Sequence, residues 1–193
     1  MADETSKPSR LPAWLRTLLY GMGGVALAAL LLFGGLFWLM RSSLAKGESG
    51  LAPRGRDVST VAYLDASGVK HTLGEEKGKI VIVDVWATWC PPCRKSLPGL
   101  AKLAAAGSGD YTVIPISVDD EGFKAVMPFL QGHPELAALP GLVPEGAGGL
   151  APLGAVSAIP TTFLVDREGK VLDAWSGVQE ERLADGLRRA LGR

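Results

Sequence analysis

The stretch VDVWATWCPPCRKSLP, residues 83–98, holds both cysteines of the 193-residue chain, Cys90 and Cys93, and decides its fold. The run KIVIVDVWA, residues 79–87, places apolar side chains on both faces of an extended chain. This pattern indicates a central strand covered by helices on both sides. Behind the cysteines, apolar residues recur at helical spacing as far as Gly107, which predicts a helix. Its apolar positions are Leu97, Leu100, Ala101 and Ala104.

The other elements predict a mixed α/β layer fold. Residues 58–73 read as two short strands around an Asp-Ala-Ser-Gly turn, and residues 111–120 as a second buried strand. A later hairpin turns at residues 167–170. The last helix is predicted to open with a capping box from Ser176 to Gln179. It places on one face Leu183, Leu187, Ala190 and Leu191.

One segment interrupts this pattern. Residues 132–154 contain ten glycines and prolines in 23 positions. Both residue types disfavour a long helix and a central strand. We therefore predict a mostly irregular insertion, with a short helix near Leu150.

The distribution of charge excludes one class of function. Residues 1–57 carry 7 Lys/Arg and 4 Asp/Glu, a balance of +3, and the remainder carries 13 and 16, a balance of −3. A domain near −3 lacks the basic surface that nucleic-acid binding requires. Two cysteines are also too few for a disulfide scaffold, which leaves a reactive pair, a metal pair or chance.

The N-terminal region predicts a membrane anchor. Residues 17–40 carry no charge and exceed the roughly 20 residues that a helix needs to cross a bilayer. We expect residues 1–16 to form a tail, 41–57 a solvated linker and 58–193 the folded domain. A cleaved signal peptide is the alternative, although the apolar run is longer than such signals usually have. Three Lys/Arg residues precede the span and four follow it, so the charge distribution does not decide its orientation in the membrane.

The cysteines sit where a strand should end and a helix begin. Cys90 would then cap the helix N-terminus, with Pro91 and Pro92 in the first turn, where proline fits best. The helix dipole stabilises an anion there, so the thiolate of Cys90 is favoured. The backbone N–H of Cys93 is its expected partner. Cys90 is therefore the predicted attacking thiolate, and Cys93 the resolving thiol.

Asp84 lies inside the apolar run, five positions before Trp89. A carboxyl group buried beneath the helix start would have a raised pKa and could accept the proton that Cys93 must lose before it attacks. The alternative is a structural aspartate satisfied by a backbone or hydroxyl group.

A metal site is the second alternative for the cysteine pair. A closed zinc site needs four ligands, and the pair supplies two. The chain has only two histidines, His71 and His133, and neither has ligand spacing to the cysteines. We therefore expect ordinary surface histidines and no metal ligand set.

These residues resemble a known family. VDVWATWCPPCRKSLP looks like the active-site strand and helix of thioredoxin-fold proteins, including Pro98, and VSAIPTTFLVDREGKV resembles their second signature. With the N-terminal hairpin, the middle insertion and the anchor, the chain is similar to the TlpA/ResA group across about residues 58–193. The resemblance implies a thioredoxin-like fold, a mixed central sheet flanked by helices.

The resemblance also implies roles that the residues alone do not give. The Ile159–Pro160 bond is expected to be cis and to face the cysteines, keeping metal away and presenting the Ile159 backbone to an extended substrate strand. Trp89, Pro91 and Pro92 are expected to border the same substrate groove, and a core role is the alternative for Trp89. Family behaviour places the N-terminus inside the cell and the domain in the periplasm, anchored in the cytoplasmic membrane.

Two positions depart from the group. Many members have asparagine where this chain has Asp84, and a glutamate three residues after the second cysteine, where this chain has Ser96. We therefore expect Asp84 to perform the proton transfer that the helix glutamate performs in relatives.

The predicted function is a membrane-anchored thiol–disulfide oxidoreductase that reduces periplasmic protein disulfides. The resemblance implies apocytochrome c or copper-site cysteines as substrates, a membrane thiol reductant as electron donor and no bound cofactor. Two alternatives remain from the sequence: a disulfide-forming oxidase, and a copper-handling protein that uses the two thiolates without catalysis.

Overall fold

The computed structural model describes residue 12 and residues 31–35, 50–107 and 109–192. Residues 31–35 are helical with exposed side chains. Within the described ranges, no helix is long and apolar enough to cross a membrane. The predicted anchor at 17–40 lies outside the described residues apart from 31–35.

The domain is built on a single seven-stranded sheet. In chain order the strands are β1 Ala62–Asp65, β2 Lys70–Thr72, β3 Ile80–Trp86, β4 Tyr111–Ser117, β5 Leu142–Pro144, β6 Thr161–Val165 and β7 Val171–Ser176. Their spatial order is β2-β1-β5-β4-β3-β6-β7. Strand β3 runs parallel to β4 and antiparallel to β6, which confirms the mixed sheet.

Within residues 50–192, three α-helices alternate with these strands: α1 Pro91–Ala105, α2 Phe123–Gln131 and α3 Glu180–Ala190. Helices α1 and α3 were expected from the sequence, and α2 was not. Its signal is present, because Phe123, Val126 and Leu130 recur at helical spacing before Gly132. Short 3-10 turns lie at Leu73–Glu76, Pro134–Leu136 and Ala151–Leu153.

Strand β3 is buried on both faces, but helices cover only one of them. Ile80, Ile82 and Trp86 belong to a cluster that contains the buried apolar side chains of α1, α2 and α3. The opposite face belongs to a second cluster, formed by strand residues, two 3-10 turns and residues 52–61. The expectation of helices on both sides was therefore wrong, because apolar residues in irregular segments cover the second face.

The insertion at 132–154 contains a central strand, contrary to the prediction. Strand β5 lies between β1 and β4, paired with β4 only through Ile116 and Leu142. Pro144 can stand at its end because the strand has only three residues and the following residue, Glu145, donates its N–H to Ala62. The short helix predicted near Leu150 is present as the turn Ala151–Leu153.

Residues 50–58, named here the strap, are not a free linker. The compact unit begins at Ser49 rather than at residue 58, and Ala52 is buried in the second cluster. The backbone of the strap pairs with Gly154 and with Lys170 in two separate bridges. The predicted linker therefore ends earlier, because residues from 50 onwards find partners on the domain.

The start of the last helix also differs from the prediction. Helix α3 begins at Glu180, and its N-cap residue Gln179 makes no side-chain cap hydrogen bond. Instead Gln179 Nε2 donates to the carbonyl oxygen of Ser176 over 3.2 Å. The capping box is not formed, because Gln179 lies at the cap itself. The predicted apolar face of the helix does pack against the core.

Candidate active site

The cysteines lie at the junction of β3 and α1, as the sequence predicts. Cys90 is the N-cap of α1, and Pro91 and Pro92 form the exposed start of its first turn. The Cys93 N–H donates to Cys90 Sγ over 3.2 Å. The two sulfur atoms form a disulfide. The helix N-terminus therefore points a backbone donor at the sulfur that would carry charge after reduction.

A carboxylate holds the loop before the cysteines. Asp119 accepts hydrogen bonds from the Thr88 N–H (2.9 Å), the Thr88 hydroxyl (2.7 Å) and the Ser117 hydroxyl (2.6 Å). Sequence reasoning missed this residue. Its signal was available, since Asp119 follows β4 and the carboxyl ends of parallel β3 and β4 meet at one edge of the sheet.

The loop before β6 lies directly against the disulfide. The Ile159–Pro160 bond is cis, as the resemblance implied. The carbonyl oxygen of Ile159 lies 3.8 Å from Cys90 Sγ. The Pro160 carbonyl accepts the Gly177 N–H over 2.7 Å, which ties the loop to the end of β7. The structure therefore brings the two sequence signatures together, although they are separated by 69 positions.

Exposed apolar side chains lie next to the cysteines in sequence and beside the Pro160 loop. Trp89 is 64% exposed and Val178 is 41% exposed, and Pro91 and Pro92 are also at the surface. Cys90 itself is only 2% exposed. A core role for Trp89, which the sequence left open, is thereby excluded. The site offers an apolar surface on which an extended chain could lie.

Asp84 lies on the helix-covered face of β3 and is 1% exposed. Its Oδ1 accepts the Thr162 hydroxyl over 2.8 Å, and its Oδ2 has no hydrogen-bond partner among the described residues. Burial raises the pKa of Asp84 to about 7, although the hydrogen bond from Thr162 lowers it. A carboxyl group with this pKa can both hold and release a proton near neutral pH.

Asp84 lines a cavity of about 170 Å³, together with residues of α1, α3 and the Pro160 loop. This volume has room for several water molecules. Ser96 and Glu180 line it nearer the surface, and Leu100, Trp175 and Leu183 form its apolar walls. Ser96 donates its hydroxyl to the Cys93 carbonyl over 3.0 Å. The cavity therefore joins the buried carboxyl group to the solvent side of the site.

Trp86 is the last residue of β3, four positions before Cys90. It is fully buried in the cluster that contains both cysteines and stacks at a tilt on Phe129, with ring centroids 5.6 Å apart. Its indole N–H has no hydrogen-bond partner among the described residues. The ring therefore supports the site by packing alone.

The histidines lie outside the cysteine site. His71 Nδ1 and Nε2 face Glu75 and Asp65, and His133 stacks on Phe129. In the described part of the chain, no group of three or more His, Cys, Asp or Glu side chains could hold a metal ion. What the site holds instead is a dithiol/disulfide pair, which can carry two electrons.

Comparison with known proteins supports the chemistry that this geometry implies. Residues 51–187 match the Redoxin family model. The thiol:disulfide interchange protein CycY of Rhizobium leguminosarum bv. viciae is 30% identical, with 89% of this chain and 91% of CycY covered. The thiol:disulfide interchange protein DsbE of Pseudomonas aeruginosa is 31% identical, with 86% and 87% covered.

A solved structure agrees with these relatives. The crystal structure of a Chlorobium tepidum protein that carries the name thiol:disulfide interchange protein DsbE superposes with a TM-score of 0.60 at 29% identity. The superposition covers 72% of this chain and 99% of that one. The chain therefore belongs to the Redoxin family, within the group of thiol–disulfide oxidoreductases that includes CycY and DsbE.

Proposed function

We propose that this protein is a membrane-anchored reductase of protein disulfides, with residues 1–16 in the cytoplasm and the domain in the periplasm. We infer the reductase direction from one observation, the limited stabilisation of the Cys90 thiolate. Its sulfur accepts one backbone N–H, from Cys93, and Pro92 removes another donor from the first turn. A weakly stabilised thiolate favours the oxidised protein, so the dithiol gives electrons away.

The reaction starts from the reduced dithiol. The Cys90 thiolate attacks one sulfur of a substrate disulfide, forms a mixed disulfide and releases the other substrate sulfur as a thiolate. The Cys93 thiolate then attacks Cys90 Sγ, restores the Cys90–Cys93 disulfide and releases the second substrate thiolate. The substrate gains two electrons and, after protonation, two hydrogens, and the protein is oxidised by two electrons.

Asp84 supplies the base for the second step. Cys93 is completely buried, so its thiol proton needs an acceptor inside the protein before the sulfur can attack. Asp84 lies on the same face of the sheet, is itself buried and has one free carboxyl oxygen. The cavity beside it provides a route by which the proton leaves.

The groove beside the cysteines accounts for protein substrates. Trp89, Pro91 and Pro92 present apolar surface on one side of Cys90, and Ile159 with Pro160 borders the other. An extended chain can pair with the Ile159 backbone and bring its own disulfide to Cys90. We propose apocytochrome c or copper-site cysteines as the substrates, and a membrane thiol reductant as the electron donor.

The reduction potential of residues 49–193 tests the direction. We expect a value near about −270 mV, similar to thioredoxin, read from tryptophan fluorescence in dithiol/disulfide buffers. A value near about −120 mV would instead identify a disulfide-forming oxidase. The roles of Cys90 and Cys93 in exchange would survive that result, and the reductase assignment would not.

The location is tested separately in cells. We expect the full chain to stay in the membrane pellet after an alkaline carbonate wash. We also expect protease added to spheroplasts to digest the domain. Recovery of a shortened, soluble chain would show that the N-terminal segment is a cleaved signal.

A further inference from the structure

The strap binds the chain just upstream of the Pro160 loop through its backbone. The Ala52 N–H donates to the carbonyl oxygen of Leu153 over 2.6 Å, and the Ala155 N–H donates to that of Gly50 over 2.5 Å. These two bonds form a short antiparallel ladder. It ends five positions before Pro160.

The same strap binds the edge of the sheet downstream of that loop. The Gly55 N–H donates to Val171 over 2.8 Å, and Val171 donates back to Arg56 over 3.0 Å. The Val58 N–H donates to Gly169 over 2.9 Å. This second ladder fixes the strap to β7 and the turn before it.

The strap therefore binds the chain before the Pro160 loop and the chain after it, and fixes the near end of the loop itself. Residues 155–159 have no regular structure and run between the first ladder and β6. The far end of the loop is fixed where Gly177 donates to the Pro160 carbonyl. Its near end is fixed where Ala155 meets the strap. Without the first ladder the irregular segment would be longer, and ordering it would cost more entropy.

Gly154 is the residue that permits the first ladder. It lies opposite Leu51 with φ +83° and ψ −160°, a conformation that is essentially restricted to glycine. A Cβ atom there would overlap the carbonyl oxygen of Gly50 and approach the nitrogen of Ala52 to 2.9 Å. Any side chain at 154 must therefore displace the strap.

We propose that the strap is a positioning element for substrate binding, and that Gly154 is the positioning residue that docks it behind the Ile159–Pro160 loop. The proposal rests on the function proposed above, in which that loop pairs with an extended substrate. A loop that is already ordered lets a substrate strand bind without the entropy cost of ordering it. Attack by Cys90 on a small disulfide that does not need the loop should be independent of the strap.

The test compares two glycine substitutions in the full-length protein in detergent. Gly154→Ala breaks the first ladder. Gly146→Ala is the matched control, since Gly146 also has positive φ (+62°) in the same insertion but has nothing within 4 Å of the new Cβ. Each variant is first reduced to the dithiol, freed of reductant and then mixed with an excess of probe, so that the dithiol supplies the two electrons. The probes are a peptide with one intramolecular disulfide and the small aromatic disulfide DTNB.

We expect Gly154→Ala to raise KM for the peptide at least about fivefold, with kcat and the DTNB rate changed less than about twofold. Gly146→Ala should leave all three values unchanged. An unchanged KM in Gly154→Ala, or equal losses with both probes, would overturn the proposal.

A second variant approaches the ladder from the strap. Ala52→Pro deletes the N–H that bonds Leu153 and leaves Gly154 in place, so it serves if Gly154→Ala fails to fold. Amide hydrogen exchange of residues 155–159 should accelerate in either variant. Unchanged exchange contradicts the proposal. If exchange accelerates in the variants but the wild-type protein does not reduce the peptide, the positioning role of the strap is supported and the proposed function is refuted.

Discussion

Asp84 should control how fast the resolving step proceeds. Asp84→Asn removes the base but keeps the shape of the side chain, so we expect reduction of a peptide disulfide at pH 7 to slow by at least about tenfold. The loss should shrink at pH 9, where hydroxide can remove the Cys93 proton. Stopped-flow kinetics at both values measure this. Equal rates for variant and wild type at pH 7 would remove Asp84 from the mechanism.

The same carboxyl group should make the domain less stable as pH rises. Burial raises the folded-state pKa of Asp84 to about 7, above its unfolded value. Because this pKa is raised, the contribution of Asp84 to the free energy of unfolding is complete below the pKa that Asp84 has in the unfolded chain. The contribution is lost as pH rises through about 7. At pH 8 the ionised group should cost the oxidised protein up to about 4 kcal/mol.

Urea unfolding of oxidised wild type and Asp84→Asn measures this cost. We expect similar stabilities at pH 4.5 and a more stable variant at pH 8. Asp120→Asn, at an exposed neighbour of the site, is the control and should show no such divergence. A constant difference between Asp84→Asn and wild type across this range would contradict the folded-state pKa.

His71 should titrate above its ordinary range for a different reason. Hydrogen bonds to Glu75 (2.8 Å) and Asp65 (3.2 Å) raise the pKa of His71. The pairing should therefore stabilise the β1–β2 hairpin at acid pH, and the gain should disappear as pH rises through the folded-state pKa. Glu75→Gln removes the larger cause, so NMR titration should give a lower pKa for His71.

A neighbouring acid provides the control for that titration. Glu76 pairs with Lys79 instead of His71. Glu76→Gln should therefore leave the titration curve of His71 unchanged. If Glu75→Gln also leaves that curve unchanged, the His71–Glu75 pair does not form in solution.

The sequence alone identified the site residues whose signal lies in their immediate neighbours along the chain. Cys90 at a predicted helix start and Asp84 within an apolar run are visible in a few neighbouring positions. Asp119 was not found, because its partner Thr88 is 31 positions away and only the sheet brings them together. The exposure of Trp89 could not be predicted from its neighbours in the sequence either, since it depends on which other segments fold against it.

At the scale of elements, the site depends on the connection between β4 and the turn that precedes α1. Asp119 collects three donors from that turn and from the end of β4. Asp119→Ala leaves these groups without their acceptor. We expect the free energy of unfolding to fall by about 2 kcal/mol, measured by urea denaturation.

Asp120→Ala is the matched control for that loss. Asp120 is the next residue and is exposed, so its removal should change stability by less than about 0.5 kcal/mol. Equal effects of the two substitutions would show that the Asp119 hydrogen bonds do not hold the turn.

The elements that were mispredicted share a physical cause. Strand β5 has three residues, the last of them Pro144, which are too few to show a strand period. It forms because it pairs with β1 on one side and β4 on the other. The strap was assigned to the linker because residues 41–57 as a whole are rich in Gly, Ser, Lys and Arg. Its partners, the backbones at 153–155 and 169–171, cannot be identified from its own composition.

For the molecule as a whole, the sequence predicted the fold class because the cysteine strand and helix and the later hairpin are strongly patterned. It did not predict that all three described α-helices share one face of the sheet. That arrangement follows from β5. The path from β3 through β4 to β5 crosses the sheet in one direction, so right-handed crossovers place α1 and α2 on the same side.

Ribosomes synthesise this domain from its N-terminus, but its first segment pairs with segments that are synthesised much later. Apart from bonds within the turn that ends at Lys77, the backbone bonds of residues 50–74 join these residues to one another or to residues 142–171. A nascent chain that stops before Leu142 should hold the cysteine strand and helix while the hairpin stays undocked. The edge of β4 stays open during that interval, which is when the growing chain is most exposed to pairing with other chains.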